Sequence, residues 1–280
     1  MAAPAVPVRS SLEVLLASFP SLLVAFSGGV DSAVLAVQAR RLLGRRRTLA
    51  VMGVSGSLPA DQRSQARDIA SAFDLDFLEV ATGELADPGY TANAPDRCYF
   101  CKRELWNQLG VVARERGLAA VADGTNADDL GEHRPGLRAA AEAHIRSPLA
   151  EAGLTKEQVR AMARSLGLPI WNAPAAPCLS SRVLYGLSVT PERLRQVEQG
   201  ESILRAAGVR GDLRLRHRGA EARIEVAPAE FASVRARAAE IGPAILTLGF
   251  SVVTLDLRGY RRGSLLASAE PRLEVLASQA

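Results

Sequence analysis

A glycine-serine turn, a second glycine-bearing acidic segment and three cysteines carry most of the chemistry this 280-residue chain could perform. Ser27-Gly28-Gly29-Val30-Asp31-Ser32 follows the apolar run Leu22 to Phe26 and leads into a helical stretch, Ser32 to Leu43. A strand that ends in two glycines and feeds a helix gathers backbone N–H groups around one concavity, and glycine lets an oxyanion approach the backbone closely. The helix N-terminus adds partial positive charge, and the Ser27 and Ser32 hydroxyls add donors. The turn is therefore expected to cradle phosphates. It lacks the Gly-Lys-Ser/Thr ending of a Walker loop, so transfer of a γ-phosphate is not the expected chemistry.

Ser-Gly-Gly-x-Asp-Ser resembles the PP-loop of the ATP pyrophosphatases, which include GMP synthetase, NAD synthetase, argininosuccinate synthetase and thiolating enzymes. The resemblance implies that the loop holds the β,γ-pyrophosphate of ATP and releases it, leaving AMP on a substrate. Asp31 would then help to position Mg²⁺, whose charge stabilises the departing group. Ala122 to Asp129 follows a fourth strand, where an open α/β sheet presents its ligand crevice. There Gly124-Thr125-Asn126 resembles the superfamily's second nucleotide-contacting segment. Arg134, ahead of Pro135-Gly136, could turn toward the phosphates, and Asp128 with Asp129 could either meet a metal or cap a helix.

Cys98-Tyr-Phe-Cys101-Lys102 sits at the N-terminal edge of a predicted helix, where the helix dipole and Lys102 favour thiolate. By itself the spacing fits half a zinc site, a redox pair or coincidence. Zinc wants four ligands, and Cys178 is the one further cysteine. His133, His144 and His217 stand at no convincing spacing. Three thiolates suit a cubane iron–sulfur cluster with one iron left open.

Cys178 lies in Pro177-Cys178-Leu179-Ser180-Ser181-Arg182. With the PP-loop, Pro95-Asp96-Arg97-Cys98, Gly124 to Asp129, and the C-terminal blocks Leu213 to His217, Ala222 to Val226 and Leu255 to Arg261, it resembles one family over nearly the whole chain. That family is the ATP-dependent sulfur transferases of nickel-pincer nucleotide cofactor biosynthesis, the LarE family. The resemblance implies adenylation of a carboxylate of pyridinium-3,5-biscarboxylic acid mononucleotide, loss of pyrophosphate, and replacement of AMP by sulfur to give a thiocarboxylate. It implies ATP and Mg²⁺ as cofactors, a sulfur donor and a homo-oligomer. In such a family sulfur comes from sacrifice of the cysteine matching Cys178, or from a [4Fe–4S] cluster on that cysteine and a C-x-x-C. Cys98 and Cys101 favour the cluster here. Glu201 is expected to act as a base or to orient the cysteine, and Lys102 to act beside it. Ser180, Arg182, Arg214 and Arg261 are expected to bind the phosphate and carboxylates of the mononucleotide. The alternatives are a tRNA-thiolating enzyme, an amidating synthetase of the same superfamily, and a nucleotide sensor without catalysis.

These groups need a frame to hold them. Apolar runs at Leu22 to Phe26, Thr48 to Val54, Leu75 to Val80 and Leu118 to Ala122 alternate with helical stretches Ser32 to Leu43, Ala60 to Phe73 and Lys102 to Arg116. This order predicts an α/β fold, a parallel sheet with helices on both faces, which the resemblance makes an adenine nucleotide alpha-hydrolase-like PP-loop fold. A capping box at Thr155 to Gln158 opens a further helix that ends at Gly167. After the proline-rich stretch 172–177 the pattern changes: a helix from Pro191 to Ala207, a hairpin over 213–226, a helix from Pro228 to Ile241 and a strand from Ser251 to Leu257. The expected division is a nucleotide domain at 1–180 and a smaller C-terminal α+β domain at 181–280.

The formal charge of +4 and a pI near 9.3 permit anionic partners. The arginines are scattered rather than striped, so no nucleic-acid partner is expected. No apolar run is long enough for a membrane span, and the N-terminus does not read as a signal peptide, so the expected location is cytoplasmic. Lys102 and Lys156 are the only lysines; every other such cation is arginine.

Overall fold

The computed structural model describes residues 10–131, 135–261 and 272–279. They form two compact units. The first comprises described residues up to Ser55, then 60–84 and 98–176; the second comprises 56–59, 85–97 and the described residues from Pro177 onward.

In chain order the elements up to residue 165 are α1 (Ser11–Ala17), β1 (Leu22–Ala25), α2 (Val30–Leu43), β2 (Thr48–Val54), α3 (Ala60–Ala72), β3 (Phe77–Ala81), α4 (Pro88–Thr91), α5 (Arg97–Glu115), β4 (Ala120–Ala122), α6 (Pro135–Glu142), α7 (Pro148–Glu151) and α8 (Lys156–Ser165). The strands make one parallel sheet in the order β3-β2-β1-β4. Both faces are covered, as parallel sheets require. Leu23 on β1 and Leu49 and Val51 on β2 pack with Trp106, Leu109 and Val112 of α5 and Ala139 and Ala140 of α6. The alternate residues serve the other face, where α2 is buried along most of its circumference, from Val30 to Ala39, and packs against α1 and α8.

The strand order fixes where a ligand belongs. The chain moves from β1 outward through β2 to β3, then returns to place β4 on the other side of β1. The C-terminal ends of β1 and β4 therefore bound the topological switch point of the sheet, the crevice that open α/β sheets use for ligands.

The second unit holds α9 (Pro191–Ala206), β5 (Leu213–Arg218), β6 (Glu221–Val226), α10 (Phe231–Ala236), α11 (Ala238–Leu246), β7 (Val252–Asp256) and β8 (Leu273–Ser278), together with α4. Its sheet runs β5-β6-β7-β8, with only the β6–β7 pair parallel. This is the smaller α+β arrangement expected beyond the proline-rich stretch. The single helix expected over 228–241 is instead a 3-10 turn at Pro228–Glu230 and two helices parted at Arg237, whose φ of −111° and ψ of 13° leave the helical region. No glycine or proline at Arg237 signals that break.

Candidate active site

The phosphate loop is shaped from both sides. Gly28 has φ +74°, and a Cβ there would meet Ala66 Cβ at 2.8 Å, so only glycine fits. The Ser32 hydroxyl accepts from Ser27 N–H at 3.1 Å and donates to the Gly29 carbonyl at 3.1 Å. Ser32 is buried, so it serves the shape of the loop, whereas Ser27 is exposed. Two residues that sequence reasoning missed hold the loop carbonyls: Gln62 donates to Ser27 O at 2.9 Å and Gln65 to Gly28 O at 3.0 Å, both from α3. Nothing local in the sequence marks these glutamines. Gly29 caps α2 without a side-chain bond, which leaves first-turn N–H groups open to an anion.

The second segment is laid directly on this loop. A Cβ on Gly124 would lie 2.7 Å from Ser32 N and 3.0 Å from the Asp31 carbonyl carbon. Asp123 fixes the turn by accepting from Thr125 N–H at 3.0 Å, Thr125 Oγ1 at 2.9 Å and Ser147 Oγ at 2.8 Å. Asn126 is buried and aims its amide at Asp31 Oδ1, 3.4 Å away. Asp31 also pairs with Lys156 Nζ. Of the two acids that could have met a metal or capped a helix, Asp129 accepts from Asn126 N–H at 3.1 Å and Asp128 from Lys156 N–H at 2.9 Å, both capping contacts. Arg134 lies outside the described residues.

α5 begins at Arg97, five residues earlier than its sequence pattern predicts, so Cys98 and Cys101 stand in its first two turns, neither in a disulfide. Cys98 is exposed and Cys101 partly so. Lys102 lays its ammonium 4.8 Å from the centre of the Trp106 ring. Cys98, Cys101 and Lys102 belong to the first unit and Cys178 to the second. Among the described residues no group of three His, Cys, Asp or Glu side chains is gathered as a metal ion would require.

In the second unit Cys178 caps a 3-10 turn, Leu179–Arg182. The Arg182 guanidinium donates to the carbonyls of Pro177 at 2.6 Å and Cys178 at 3.0 Å, and its other edge makes a double bond with Glu201 at 3.0 and 3.1 Å. Glu201 also accepts from Leu215 N–H at 3.1 Å. Its carboxylate is thus committed to holding Arg182, whose guanidinium in turn holds the Cys178 carbonyl. Ser180 is fully buried with its hydroxyl on Tyr90, which gives it a structural place instead of an open face for substrate. Asn93, also fully buried, donates to the carbonyls of Leu184 at 2.9 Å and Leu187 at 2.8 Å, and Arg97 donates to Ser180 O at 2.9 Å.

Arg214 differs from its neighbours. It is 8% exposed, donates to Leu213 O at 2.6 Å and stacks 5.1 Å from the Tyr260 ring centre, with no carboxylate paired to it among the described residues. Burial, then the charge of Arg182, holds its pKa below the usual arginine range. A guanidinium stored without an acid is suited to an incoming anion. Arg261 instead faces Asp256 at 3.7 Å, an acid that also holds Arg258.

A parallel sheet whose switch point carries a lysine-free phosphate loop defines the PP-loop class of ATP-using enzymes, and residues 10–121 match the NAD synthase family model. Beyond that region the likeness continues. A Synechocystis protein of uncharacterised function is 42% identical over 264 residues, 92% of this chain and 97% of that one. The pyridinium-3,5-bisthiocarboxylic acid mononucleotide synthase of Lactiplantibacillus plantarum is 34% identical over 257 residues, 92% of this chain and 93% of the synthase. A glutamine-hydrolysing GMP synthase of Clostridium novyi is 28% identical over 66% of this chain but only 39% of its own length. The chain belongs to the family of the pyridinium-3,5-bisthiocarboxylic acid mononucleotide synthase, the LarE family, as its motifs imply.

Proposed function

We propose that this protein is an ATP-dependent sulfur transferase that adenylates a carboxylate of pyridinium-3,5-biscarboxylic acid mononucleotide and replaces AMP with sulfur, making a thiocarboxylate for a nickel-pincer cofactor. The observation that carries the reading is the presence, in one chain, of a phosphate loop at the switch point and a cysteine in no disulfide whose carbonyl is held by a buried arginine paired with Glu201. In the first step a carboxylate oxygen attacks the α-phosphorus, and the bond to the β-phosphate oxygen breaks. Pyrophosphate leaves carrying that oxygen, held by Ser27 and the first-turn N–H groups of α2. In the second step a sulfur nucleophile attacks the acyl carbon, and AMP leaves with the former carboxylate oxygen. Arg214 would hold an anionic group of the mononucleotide. Cytoplasmic action as a homo-oligomer completes the reading.

Mg²⁺ suits Asp31, because the carboxylate already draws a cation, the Lys156 ammonium, to its side. Bound there, it would supply charge neutralisation to the pyrophosphate. The sulfur source is placed on the cysteines, as a [4Fe–4S] cluster on Cys98, Cys101 and Cys178. Three thiols outside any disulfide suit iron in kind. Among the described residues they do not form a gathered ligand set.

The test is anaerobic incubation with ATP, Mg²⁺ and the dicarboxylate mononucleotide, reading pyrophosphate and product mass. Wild type should release pyrophosphate and exchange oxygen for sulfur, and Cys178→Ala should release pyrophosphate without forming thiocarboxylate. An amide product, or thiolation untouched in Cys178→Ala, overturns the reading. Iron and sulfide content, with the mass of Cys178 after reaction, separates a cluster from a sacrificed thiol.

A further inference from the structure

We infer that the solvent-facing stripe of α8 and the indole of Trp171 form a second small-molecule site, one that takes a planar aromatic ring bearing a single anionic group.

The backbone sets the platform. α8 ends in a tight reversal, in which Leu168 N–H donates to Ala163 O at 2.9 Å. Leu168 and Ile170 then anchor the chain in the core, and Trp171 N–H closes on Leu168 O at 3.2 Å. Ala173 N–H follows onto Ile170 O at 2.8 Å. Trp171 is held between these contacts with 38% of its surface open. An indole fixed in this way offers a stacking face with little conformational freedom to lose on binding.

α8 supplies the facing wall. Val159 and Ala163 form its buried stripe, and Glu157, Arg160, Ala161 and Arg164, spaced three and four apart, line a cavity with Trp171. The cavity measures about 660 Å³, within the roughly 300–1,000 Å³ of small-molecule sites, and its lining lies wholly in the first unit.

Its charge is open. Arg164 lays its guanidinium 5.2 Å from the centre of the Trp171 ring. Arg160 reaches only the Ala173 carbonyl, at 3.5 Å, and its Nε is shut off from solvent without a partner. Among the described residues neither guanidinium is paired with a carboxylate. Elsewhere on the same unit Arg63, Arg67 and Arg146 are each joined to a glutamate. A shielded donor without an acceptor is a costly arrangement that an incoming anion relieves.

These features also define the ligand. Two guanidiniums one helical turn apart suit one phosphate or carboxylate group, and the indole beside them suits the ring that carries it. Glu157 stands about 10 Å from Arg164 along the helix axis, where its charge repels a chain of further phosphates. The site therefore fits a nucleoside monophosphate or an aromatic carboxylate, and not ATP.

Calorimetric titration of wild type, Arg160→Gln and Ala161→Leu with GMP and, separately, with naphthoate tests the inference. One or both should bind wild type, GMP alone identifying a phosphate ester and naphthoate alone a carboxylate. Arg160→Gln should weaken this binding about 10- to 100-fold, the range for a hydrogen bond between charged groups. Ala161→Leu fills the cavity from an exposed helix position with a good helix former, and should abolish binding. Both variants should keep the ATP affinity of wild type and a melting temperature within about 3 °C of it. Guanosine, which lacks the anion, and inorganic phosphate, which lacks the ring, should bind at least about 10-fold more weakly than the aromatic anion. The ligand should also quench tryptophan fluorescence in wild type but not in Trp171→Phe, whose remaining Trp106 is buried. The inference is overturned if neither aromatic anion binds wild type, or if guanosine or phosphate binds equally well. Unchanged binding in both α8 variants, or quenching kept in Trp171→Phe, overturns it too, by moving the ligand to another site.

Discussion

Gly124→Ala should disable nucleotide binding while leaving most of the molecule intact. The added methyl would sit 2.7 Å from Ser32 N, 3.0 Å from Asp31 C and 3.1 Å from Ser32 Cα. Every one of these atoms is backbone, so no side chain can swing aside. Restoring the 3.4 Å at which ordinary contact begins requires a separation of about 0.7 Å between the second segment and the start of α2. Overpacking of this kind costs about 1–3 kcal/mol. The displacement falls on the N–H groups proposed to hold pyrophosphate, and losing one charged hydrogen bond there predicts a rise in the ATP dissociation constant of about 10- to 100-fold. Gly117→Ala is the control: its φ is +62° with nothing within 4 Å of the added carbon, so it should cost about 1 kcal/mol of strain and leave ATP binding alone. Equilibrium denaturation and ATP titration of both variants give the comparison. If Gly124→Ala binds ATP like wild type, the close approach does not position the loop, and the account of the site as a rigid cradle is wrong.

Further expectations concern the second unit. Glu201→Ala leaves the Arg182 guanidinium, 5% exposed, without its acid. Denaturation should show a loss of about 3–5 kcal/mol, and thiolation should fall because the Cys178 carbonyl loses its holder; a loss below 1 kcal/mol would refute this role. Arg214→Ala should raise the KM for the mononucleotide at least about 10-fold while the ATP dissociation constant stays unchanged, a split that a purely structural arginine would not give. His217 is buried against Phe250, with Gln196 on Nε2 and the Gly219 N–H on Nδ1. Burial, then the charge of Arg193, lowers its pKa from 6.5 to about 4. The unfolded chain therefore takes up this proton first, so the contribution to stability is complete above pH 6.5 and is lost as pH falls through about 4. Its size is on the order of 3 kcal/mol. His217→Gln should flatten the stability–pH curve in that window, and an unchanged slope would show that other groups govern it.

The phosphate loop was legible because its chemistry is local: a strand, two glycines and a helix start within a few residues of one another. The capping box at Thr155 was legible for the same reason. The Asp31–Lys156 pair was not, because its two residues lie 125 positions apart and nothing in a Thr-Lys-Glu-Gln run distinguishes a lysine that reaches the phosphate loop from a surface one. Ser180 and Arg182 read as substrate ligands from their residue types, yet Tyr90 and Glu201 take up their polar groups, and residue type does not report such burial. The stretch 82–97 reads as a polar loop and instead sends Tyr90, Asn93 and Arg97 into the second unit. Asn93 even adopts φ +55°, a conformation asparagine tolerates but does not announce. β8 pairs with β7 through a register shift at Val253/Thr254, which breaks the strict alternation that would have signalled a strand.

The excursion of residues 85–97 has a consequence for how the molecule is made. Asn93 leaves the ribosome 90 residues before Val183, one of the carbonyls it must satisfy, and Tyr90 precedes Ser180 by the same distance. During synthesis this segment must wait, solvated and unpaired, while strands of the first sheet on either side of it are already complete. A C-terminal fragment starting at Pro177 would emerge with the acceptors but without their donors. Such a fragment should fail to fold alone, whereas co-expressed residues 1–176 could complement it in trans. Cys178 is therefore translated only after the whole of the first unit, which ends at Ala176.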